Sequence, residues 1–600
     1  MVARLAGVAA PFFATLVGAA PETWVHFRRG FTDLCSEAPP RLVLGNLAGI
    51  LLLRIAPLAL KARLASLVAL SPPDQQACLD RLAGSRWYLI RALFFAVKAT
   101  ALLLLSRQPG RSAPGAAARS DTASERRHAD YVVVGSGAAG ATVALDLARA
   151  GRDVLVLEEG PWLTTRDFPA DLYSALRDLW RDFGTQLATG RSVIPVLQGR
   201  CVGGSTVING AIIHRLPRAV WERWGDRDPK LVAALPWSAI EDAAESLERD
   251  LQVVAKLASR LDQLPMHQAL ERLGWQHSAM VRNAPGCMHS GHCLLGCPTG
   301  GKWSMDRSFI PAARELGARV RPNVRIARVL FTGRRAIGVE AAGGETILAR
   351  RAVVIAAGVV HTPLLLRASG VRHADLGDHF QCHLSSAVVG RYAGSAAAVE
   401  GPPMGLEVLH FPDVKLATQS VPPEMLALRL PVHGAPLREL LARADRLGAW
   451  TATVRSEAEG TVGGALERPR IHFSPLPGDM KRIRFGAARM VELLLAAGAE
   501  VVYPQIVGLP EVLRERGETA LVERGPTDPR CYALATSHLF GTCRIGSDPS
   551  RSVVSPDFRV HGRDALYVAD ASLFPTATGV NPQHAIMALA RIAARRLAEA

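Results

Sequence analysis

The chain has 600 residues, enough for about two to four domain-sized units rather than one ordinary core. Hydrophobic residues make up 49% and charged residues 21%, which excludes a disordered or collagen-like protein, and nine cysteines are too few for a disulfide scaffold. The net charge is +16, and 63 of the 70 basic residues are arginine. Because no nucleic-acid-binding motif accompanies this arginine bias, we expect no nucleic-acid partner.

The N-terminal residues 1–106 are apolar and are predicted to form an all-α domain. Three apolar stretches lie there, at roughly 5–20, 42–70 and 87–105. The stretch 42–60 has the length of a membrane span, but Asn46, Arg54 and Pro57 interrupt it. Two interpretations therefore stay open, a packed helical domain and a helical domain seated on a membrane.

Positive charge is concentrated in the same region. Residues 1–128 carry 16 Lys and Arg against 7 Asp and Glu. Such a balance favours contact with an anionic membrane surface or an acidic redox partner. Pro11 inside the first apolar run argues against a signal peptide, so the expected location is membrane-associated or cytoplasmic. Residues 107–128, rich in Pro, Gly, Ala, Ser and Arg, are predicted to be a linker.

A dinucleotide-binding fingerprint follows the predicted linker. The buried β-run Tyr131–Val134 leads into a G-x-G-x-x-G segment, which opens a helix and is followed by the β-run Val154–Leu157. The fingerprint glycines are Gly135, Gly137 and Gly140. The first permits the tight turn, the second lets the backbone approach a pyrophosphate, and the third lets helix and strand pack closely. Glu158 ends the second strand, where it can accept ribose hydroxyls.

Four further motifs follow in order along the chain. They are 199–210 (GRCVGGSTVING), 358–370 (GVVHTPLLLRASG), 537–544 (SHLFGTCR) and 567–582, which begins YVADASLFP and ends GVNP. Together with the fingerprint, their order and spacing resemble the glucose–methanol–choline (GMC) flavoprotein oxidoreductases. The resemblance covers about 130–600.

The resemblance implies an α/β fold with a Rossmann-like FAD-binding domain and a substrate domain of β-sheet plus helices. The FAD-binding domain would comprise 129–217, 287–384 and 531–600, and the substrate domain 218–286 and 385–530. FAD is the expected cofactor. Residues implied to hold it are Gly135, Gly137, Gly140, Glu158, Gly203, Gly204, Ser205, Asn209, Ile326, Asp570 and Ala571.

The resemblance also implies a catalytic pair. His538 matches the family's base, and a histidine suits proton removal because its pKa lies near working pH. Asn581 matches the partner that holds the alcohol oxygen while hydride passes to the flavin. Asn581 is also expected to be an N-cap with Pro582 in the first helical position, ahead of a helix over 583–597.

A cysteine-rich segment contains Cys287, Cys293 and Cys297. Its spacing is not the C-x2-C of zinc ribbons or ferredoxins, and it resembles a segment of long-chain alcohol oxidase-like and bacterial sterol-oxidase-like GMC proteins. We expect a structural or cavity-lining role and no metal. A metal site and a disulfide are the alternatives.

The predicted activity is FAD-dependent oxidation of a hydrophobic alcohol, whether long-chain, sterol or terpenoid. The segment His379-Phe380-Gln381-Cys382-His383 is closer to the long-chain-alcohol group than to the usual family sequence there. The electron acceptor would be a quinone, a cytochrome or O2, and the basic apolar N-terminal domain favours a dehydrogenase. The alternatives are an oxygen-using oxidase, a non-redox FAD-containing lyase, and a membrane-surface binding protein with a vestigial flavin fold.

Overall fold

A computed structural model describes residues 2–61, 65–108, 127–255, 264–400, 404–419 and 421–599. The predicted linker 107–128 lies outside these described residues except at its two ends.

Helices occupy the N-terminal region and cover the sheets of the remainder. They are α1 Val2–Val17, α2 Trp24–Glu37, α3 Pro40–Lys61, α4 Pro72–Ala83, α5 Tyr88–Ser106, α6 Ala138–Arg149, α7 Leu172–Asp178, α8 Arg218–Arg227, α9 Pro229–Ala234, α10 Trp237–Asp250, α11 Pro265–Leu273, α12 Phe309–Glu315, α13 Gly358–Ala368, α14 Ala397–Glu400, α15 Pro423–Leu428, α16 Gly434–Leu441, α17 Pro477–Ala496, α18 Thr519–Glu523 and α19 Gln583–Glu599.

The strands begin at residue 128. They are β1 His128–Val134, β2 Val154–Leu157, β3 Leu187–Thr189, β4 Val193–Pro195, β5 Val254–Ala255, β6 His277–Ala279, β7 Val281–Arg282, β8 Arg319–Arg321, β9 Ile326–Thr332, β10 Arg335–Ala341, β11 Thr346–Ile355, β12 Gln381–Arg391, β13 Leu406–Phe411, β14 Val414–Thr418, β15 Leu447–Arg455, β16 Thr461–Ala465, β17 Arg468–His472, β18 Val501–Tyr503, β19 Leu539–Phe540 and β20 Leu566–Val568.

One sheet carries the predicted fingerprint. Its parallel strands run in the order β8-β2-β1-β11-β20, and the antiparallel hairpin β9–β10 pairs with the first half of β11. The apolar residues of β1 and β2 are buried, as expected for parallel strands covered on both faces. The βαβ unit predicted from the sequence is confirmed, with α6 connecting β1 to β2.

Helix α19 is tied to the fingerprint helix by a buried arginine. Arg591 of α19 donates from Nε to Asp146 of α6 at 2.9 Å and from Nη2 to Asp250 of α10 at 2.6 Å. Its side chain is 2% exposed, so the charge is stable there only because both carboxylates pair with it. Helix α19, which follows Asn581, therefore has a fixed position relative to α6, which follows Gly137.

A second sheet contains most of the strands of the predicted substrate domain. Its strands run in the order β18-β12-β15-β14-β13-β6, and β19 pairs with the start of β12. This pairing places His383 beside His538, because the N–H of His383 donates to the carbonyl of His538 at 3.0 Å. A smaller sheet, β16-β17-β3-β4, joins strands from both predicted domains. The boundaries of these domains stay a prediction.

Helices α1–α5 share one apolar core with α15, α16 and β18. Lys98 of α5, buried in this interface, donates to the carbonyl oxygens of Leu430 at 2.6 Å and Val432 at 3.0 Å. The N-terminal helices are thus joined to the predicted substrate domain by packing and by backbone-directed hydrogen bonds.

Two of these helices, α3 over Pro40–Leu60 and α5, have the length and composition of membrane spans, and 33% and 39% of their apolar windows are buried. Core helices of soluble proteins can meet the same criteria. The outer face of α3 exposes four large apolar side chains, Leu44, Leu51, Ile55 and Leu58.

Candidate active site

A groove at the carboxyl ends of β1 and β2 is shaped by glycines. Gly135 has a φ of 101°, and a Cβ there would lie 2.3 Å from the carbonyl oxygen of Ala356. A Cβ on Gly204 would lie 2.9 Å from the Cα of Gly137. Gly137 is the N-cap of α6 and brings no side chain to the N–H groups of its first turn, which leaves them available to a phosphate. These features fit the pyrophosphate of FAD.

The residues predicted to bind FAD divide into two groups. Those that line the groove are Gly135, Gly137, Glu158, Gly204, Ser205 and Ile326. Those outside its lining are Gly140, Gly203, Asn209, Asp570 and Ala571. A Cβ on Gly140 would lie 1.9 Å from the carbonyl oxygen of Gly135, so Gly140 serves helix–strand packing. Asn209 donates from Nδ2 to Oε1 of Gln583 at 2.6 Å, which links its loop to α19.

Glu158 is anchored where β2 ends. Its Oε2 accepts hydrogen bonds from the N–H of Ser136 at 3.0 Å and from the Ser136 hydroxyl at 2.7 Å, and its Oε1 accepts from the N–H of Gly160 at 2.9 Å. Burial raises the pKa of Glu158, against the effect of these donors. The carboxylate is therefore held in one position beside the groove, as a ribose-binding group needs to be.

Asp570 joins two of the sequence motifs. Its Oδ2 accepts from the N–H of Gly358 at 2.8 Å and from the Thr362 hydroxyl at 2.5 Å, while Oδ1 accepts from the N–H of Ser572 at 2.9 Å. The carboxylate thus holds the start of α13 against the 567–582 motif. Its contact with the cofactor stays a prediction.

The predicted catalytic residues lie together. Nε2 of His538 is 3.4 Å from Nδ2 of Asn581, although 43 positions separate them in sequence. Burial, together with the charges of Lys415 and His214, lowers the pKa of His538 to about 3. His538 is therefore neutral at physiological pH, the state that a proton-accepting group requires.

A second histidine, His383, completes an imidazole pair. The N–H of Gly579 donates to Nε2 of His383 at 2.9 Å, so neutral His383 carries its proton on Nδ1. That nitrogen lies 3.1 Å from Nδ1 of His538, which accepts the hydrogen bond. In this arrangement the proton of neutral His538 is on Nε2, so that nitrogen and Nδ2 of Asn581 are both donors and no hydrogen bond joins them.

Asn581 does not act as the expected N-cap. Helix α19 begins at Gln583, and the N–H of Ile586 donates to the carbonyl of Pro582 at 2.9 Å, which shifts the cap one position along the chain. The Asn581 side chain is used elsewhere, because its Oδ1 accepts a hydrogen bond from Lys415 and its Nδ2 faces His538.

Polar residues that the sequence interpretation missed adjoin the catalytic pair. Lys415, Glu407 and His214 form a cluster behind Asn581. None of them belongs to a motif, and no sequence signal assigned them to the site. The FAD groove likewise includes the unpredicted residues Glu159, Arg181, Gln198 and His361.

The three cysteines of the cysteine-rich segment are free thiols. Arg282 donates from Nη1 to Sγ of Cys287 at 3.6 Å and from Nη2 to Sγ of Cys293 at 3.3 Å. Sγ of Cys297 accepts from the N–H of Lys302 at 3.3 Å. These contacts organise the loop after β7, and the roles of the thiols stay predictions.

Side-chain atoms suited to holding one metal ion lie elsewhere in the described residues, at His267, Glu271 and His277. This group joins α11 to β6. It contains none of the residues predicted for FAD binding or catalysis.

Several proteins are similar to this chain in sequence. An uncharacterized GMC-type oxidoreductase of Mycobacterium tuberculosis is 36% identical over 479 residues, covering 77% of this chain and 74% of the relative. A long-chain-alcohol oxidase of Arabidopsis thaliana is 25% identical over 512 residues, covering 78% of this chain and 66% of the relative.

Solved structures share the fold. Pyridoxine 4-oxidase from Mesorbium loti superposes with a TM-score of 0.59 at 18% identity, covering 78% of this chain and 98% of that one. A variant of the FAD-containing formate oxidase from Aspergillus oryzae gives the same TM-score, identity and coverage. At this identity the likeness establishes the fold alone.

Family models match most of the predicted catalytic part. Residues 129–385 match the N-terminal domain and 457–590 the C-terminal domain of the family described as GMC oxidoreductase. Residues 1–128 lie outside both matches. The α/β fold, the family resemblance and the FAD cofactor predicted from the sequence are confirmed. The chain belongs to the GMC oxidoreductase family of FAD-binding flavoenzymes.

Proposed function

We propose that this protein oxidises the CH–OH group of a hydrophobic alcohol to an aldehyde or ketone. The observation that carries the proposal is that neutral His538 lies 3.4 Å from Asn581, which precedes α19, the helix to which Asn209 is hydrogen-bonded. The name of the Arabidopsis relative, a long-chain-alcohol oxidase, supports the substrate class. Bound FAD would supply the hydride acceptor.

The chain's own residues have two tasks in this reaction. Asn581 holds the alcohol oxygen through Nδ2–H, and His538 receives the hydroxyl proton. His538 can take that proton at Nε2 only in its other tautomer, with its own proton on Nδ1 donated to Nδ1 of His383. In that tautomer Nδ1 of His383 accepts, so the proton of neutral His383 is on Nε2 and the hydrogen bond from the N–H of Gly579 is lost.

The electron acceptor distinguishes two forms of this proposal. We favour a dehydrogenase that passes electrons to a membrane quinone or a cytochrome, because a basic, apolar helical domain adjoins the catalytic part. The plant relative is a long-chain-alcohol oxidase, which favours an oxidase instead. Anaerobic reduction of the bound FAD by a panel of primary, sterol and terpenoid alcohols tests the substrate class. Reoxidation of the reduced FAD with O2 or with a quinone then tests the acceptor. Peroxide formation at full turnover under air would overturn the dehydrogenase form.

We also propose that the N-terminal helices rest on a membrane. Leu44 and Leu51 of α3 are 65% and 59% exposed, and Ile55 and Leu58 are 50% and 53% exposed. Spacings of seven, four and three residues place these side chains on one helix face. Arg54 on the same helix can extend its charged end to lipid headgroups while the apolar face enters the acyl boundary. A lipid-borne alcohol would then be available next to the predicted substrate domain.

A further inference from the structure

Behind Asn581 lies a buried lysine that neither the family motifs nor the predicted catalytic pair includes. Nζ of Lys415 is 2.8 Å from Oδ1 of Asn581, 2.6 Å from Oε2 of Glu407 and 2.7 Å from Nε2 of His214. The side chains of Lys415 and Glu407 are 4% and 3% exposed. An ammonium has three N–H groups, of which Asn581 and Glu407 accept two. Nε2 of His214, which also lies 3.0 Å from Oε2 of Glu407, accepts the third only when it carries no proton.

Pairing in the second sheet explains how this charge reaches the site. Strands β13 and β14 are antiparallel, with Glu407 opposite Ala417. Lys415 is therefore the diagonal neighbour of Glu407 on the same face. Lys415 and Glu407 form a buried salt bridge at 2.6 Å. Burial raises the pKa of the Glu407 carboxyl, but hydrogen bonding by His214 and the Lys415 charge outweigh burial and lower it. Burial also lowers the pKa of Lys415, against the charge and hydrogen bond of Glu407.

A buried ion pair is costly to assemble, and similar volume could be filled by apolar side chains without loss of stability. The hydrogen bond of Lys415 to Asn581 distinguishes this pair from a purely structural one, because it is directed at a residue of the predicted catalytic pair. An ammonium can only donate, so it fixes Oδ1 as the end of the Asn581 amide that faces Lys415. The other end, Nδ2, faces Nε2 of His538 at 3.4 Å.

We propose that Lys415 is a positioning residue for the reaction, which holds the Asn581 amide so that only its N–H groups face the alcohol oxygen. This inference rests on the proposed alcohol oxidation. The alcohol oxygen gains negative charge as its proton leaves, and a donor fixed at that position stabilises the charge. The Lys415 ammonium also polarises the amide, which strengthens the donor. A freely rotating amide would present its carbonyl oxygen to the substrate part of the time.

A double-mutant cycle between Lys415→Met and Asn581→Ala tests the proposal. The rate constant of FAD reduction at saturating alcohol should fall at least about tenfold in Lys415→Met, with the apparent alcohol affinity changed less than about twofold. In the Asn581→Ala background, Lys415→Met should cost less than about twofold, because its effect is transmitted through the amide. Equal losses in both backgrounds would overturn the proposal.

Two further variants separate positioning from structural support. Glu407→Gln combined with Lys415→Met removes both charges and should stay as slow as Lys415→Met alone; recovery of the rate would show that the unpaired Glu407 caused the defect and would refute the positioning role. The matched control is Lys98→Met, which removes another buried lysine. It should lower Tm and leave the rate constant unchanged. A comparable loss of rate in this control would also count against the proposal.

A second readout does not depend on alcohol oxidation. The same cycle measured by thermal unfolding should show a Tm loss for the double variant smaller than the sum of the single losses, because the two side chains share a hydrogen bond. If no alcohol reduces the FAD of the unmodified protein, the proposed function fails, and this cycle still tests the contact. Additive Tm losses would overturn the assignment of Lys415 to the Asn581 amide.

Discussion

The catalytic part buries an ion pair beside its predicted site, whereas the N-terminal helices expose a large apolar face. In the catalytic part, Lys415 and Glu407 are buried, and hydrogen bonds hold them against Asn581 and His214. In the N-terminal region, Leu44 of α3 is among the most exposed large apolar side chains. Burying charge and exposing apolar surface are both unfavourable unless a partner is supplied. The first region contains the partners of its charges, and the second offers an apolar surface that suits a partner outside the chain.

The largest expected effect comes from the proposed base. Replacing His538 by alanine should slow FAD reduction by alcohol at least about a hundredfold, the low end for loss of an acid–base group. The measurement is the anaerobic rate constant of flavin bleaching at saturating alcohol.

The control for that variant is His433→Ala, which removes a buried histidine that stacks edge-on against Phe94 at the interface with the N-terminal helices. It should lower Tm and keep the rate. If alcohol reduces the FAD of His538→Ala as fast as that of His433→Ala, the base is misassigned. The two regions then no longer differ in their contribution to catalysis.

A smaller effect is expected for the exposed face of α3. Substituting Leu44, Leu51 and Ile55 together by serine should weaken binding to anionic vesicles at least about tenfold, since each buried apolar side chain contributes about 1.5–3 kcal/mol. Co-sedimentation with the vesicles measures this. The rate of FAD reduction by a short, water-soluble alcohol should not change. Unchanged vesicle binding would remove the membrane interpretation of this face.

A substitution that narrows the glycine-lined FAD groove should lower FAD content several-fold. In Gly204→Ala the new Cβ would lie 2.9 Å from the Cα of Gly137 and the residue would keep a φ of 54°. FAD content per protein, measured from absorbance, should fall about threefold or more. Gly151→Ala is the matched control, because Gly151 has a φ of 70° with nothing within 4 Å of an added Cβ. Equal FAD loss in both variants would show that backbone strain, not the narrow groove, is responsible.

The smallest expected effect is that of pH. Because the pKa of His538 is lowered to about 3, the ring stays neutral as pH falls from 8 to 5. The rate constant of FAD reduction should therefore change less than about twofold over that range, and should decline only as pH approaches the lowered pKa. A pH–rate profile under anaerobic conditions tests this. A loss of rate centred near pH 6.5 would contradict the buried, neutral state of His538.

The features that the sequence predicted are local or are carried by motifs. The βαβ unit from Tyr131 to Leu157 could be predicted because its strands, glycines and helix are contiguous. The pairing of His538 with Asn581 was implied by family order, and the structure places their side chains together. The groups around that pair could not be predicted. Lys415 and Glu407 alternate with apolar residues in a hairpin, a pattern that also describes a solvated sheet face.

The site residues that the sequence did not predict are brought together by strand pairing over long sequence distances. His214 and Lys415 are 201 residues apart, and no local pattern records that β14 faces the loop containing His214. The N-terminal helices were predicted from their apolar stretches, but the choice of exposed face on α3 depends on packing against α5, which composition does not encode. The shift of the α19 cap from Asn581 to Pro582 has a similar cause, since the Asn581 side chain is used by Lys415.

We propose that FAD held by this chain accepts hydride from a hydrophobic alcohol next to His538 and Asn581. Anaerobic mixing of the FAD-loaded protein with a long-chain primary alcohol tests it most directly. We predict bleaching of the oxidised flavin with one aldehyde formed for each FAD reduced, and no bleaching on the same timescale in His538→Ala. A flavin that a chemical reductant bleaches but that no alcohol of the panel reduces would contradict the account.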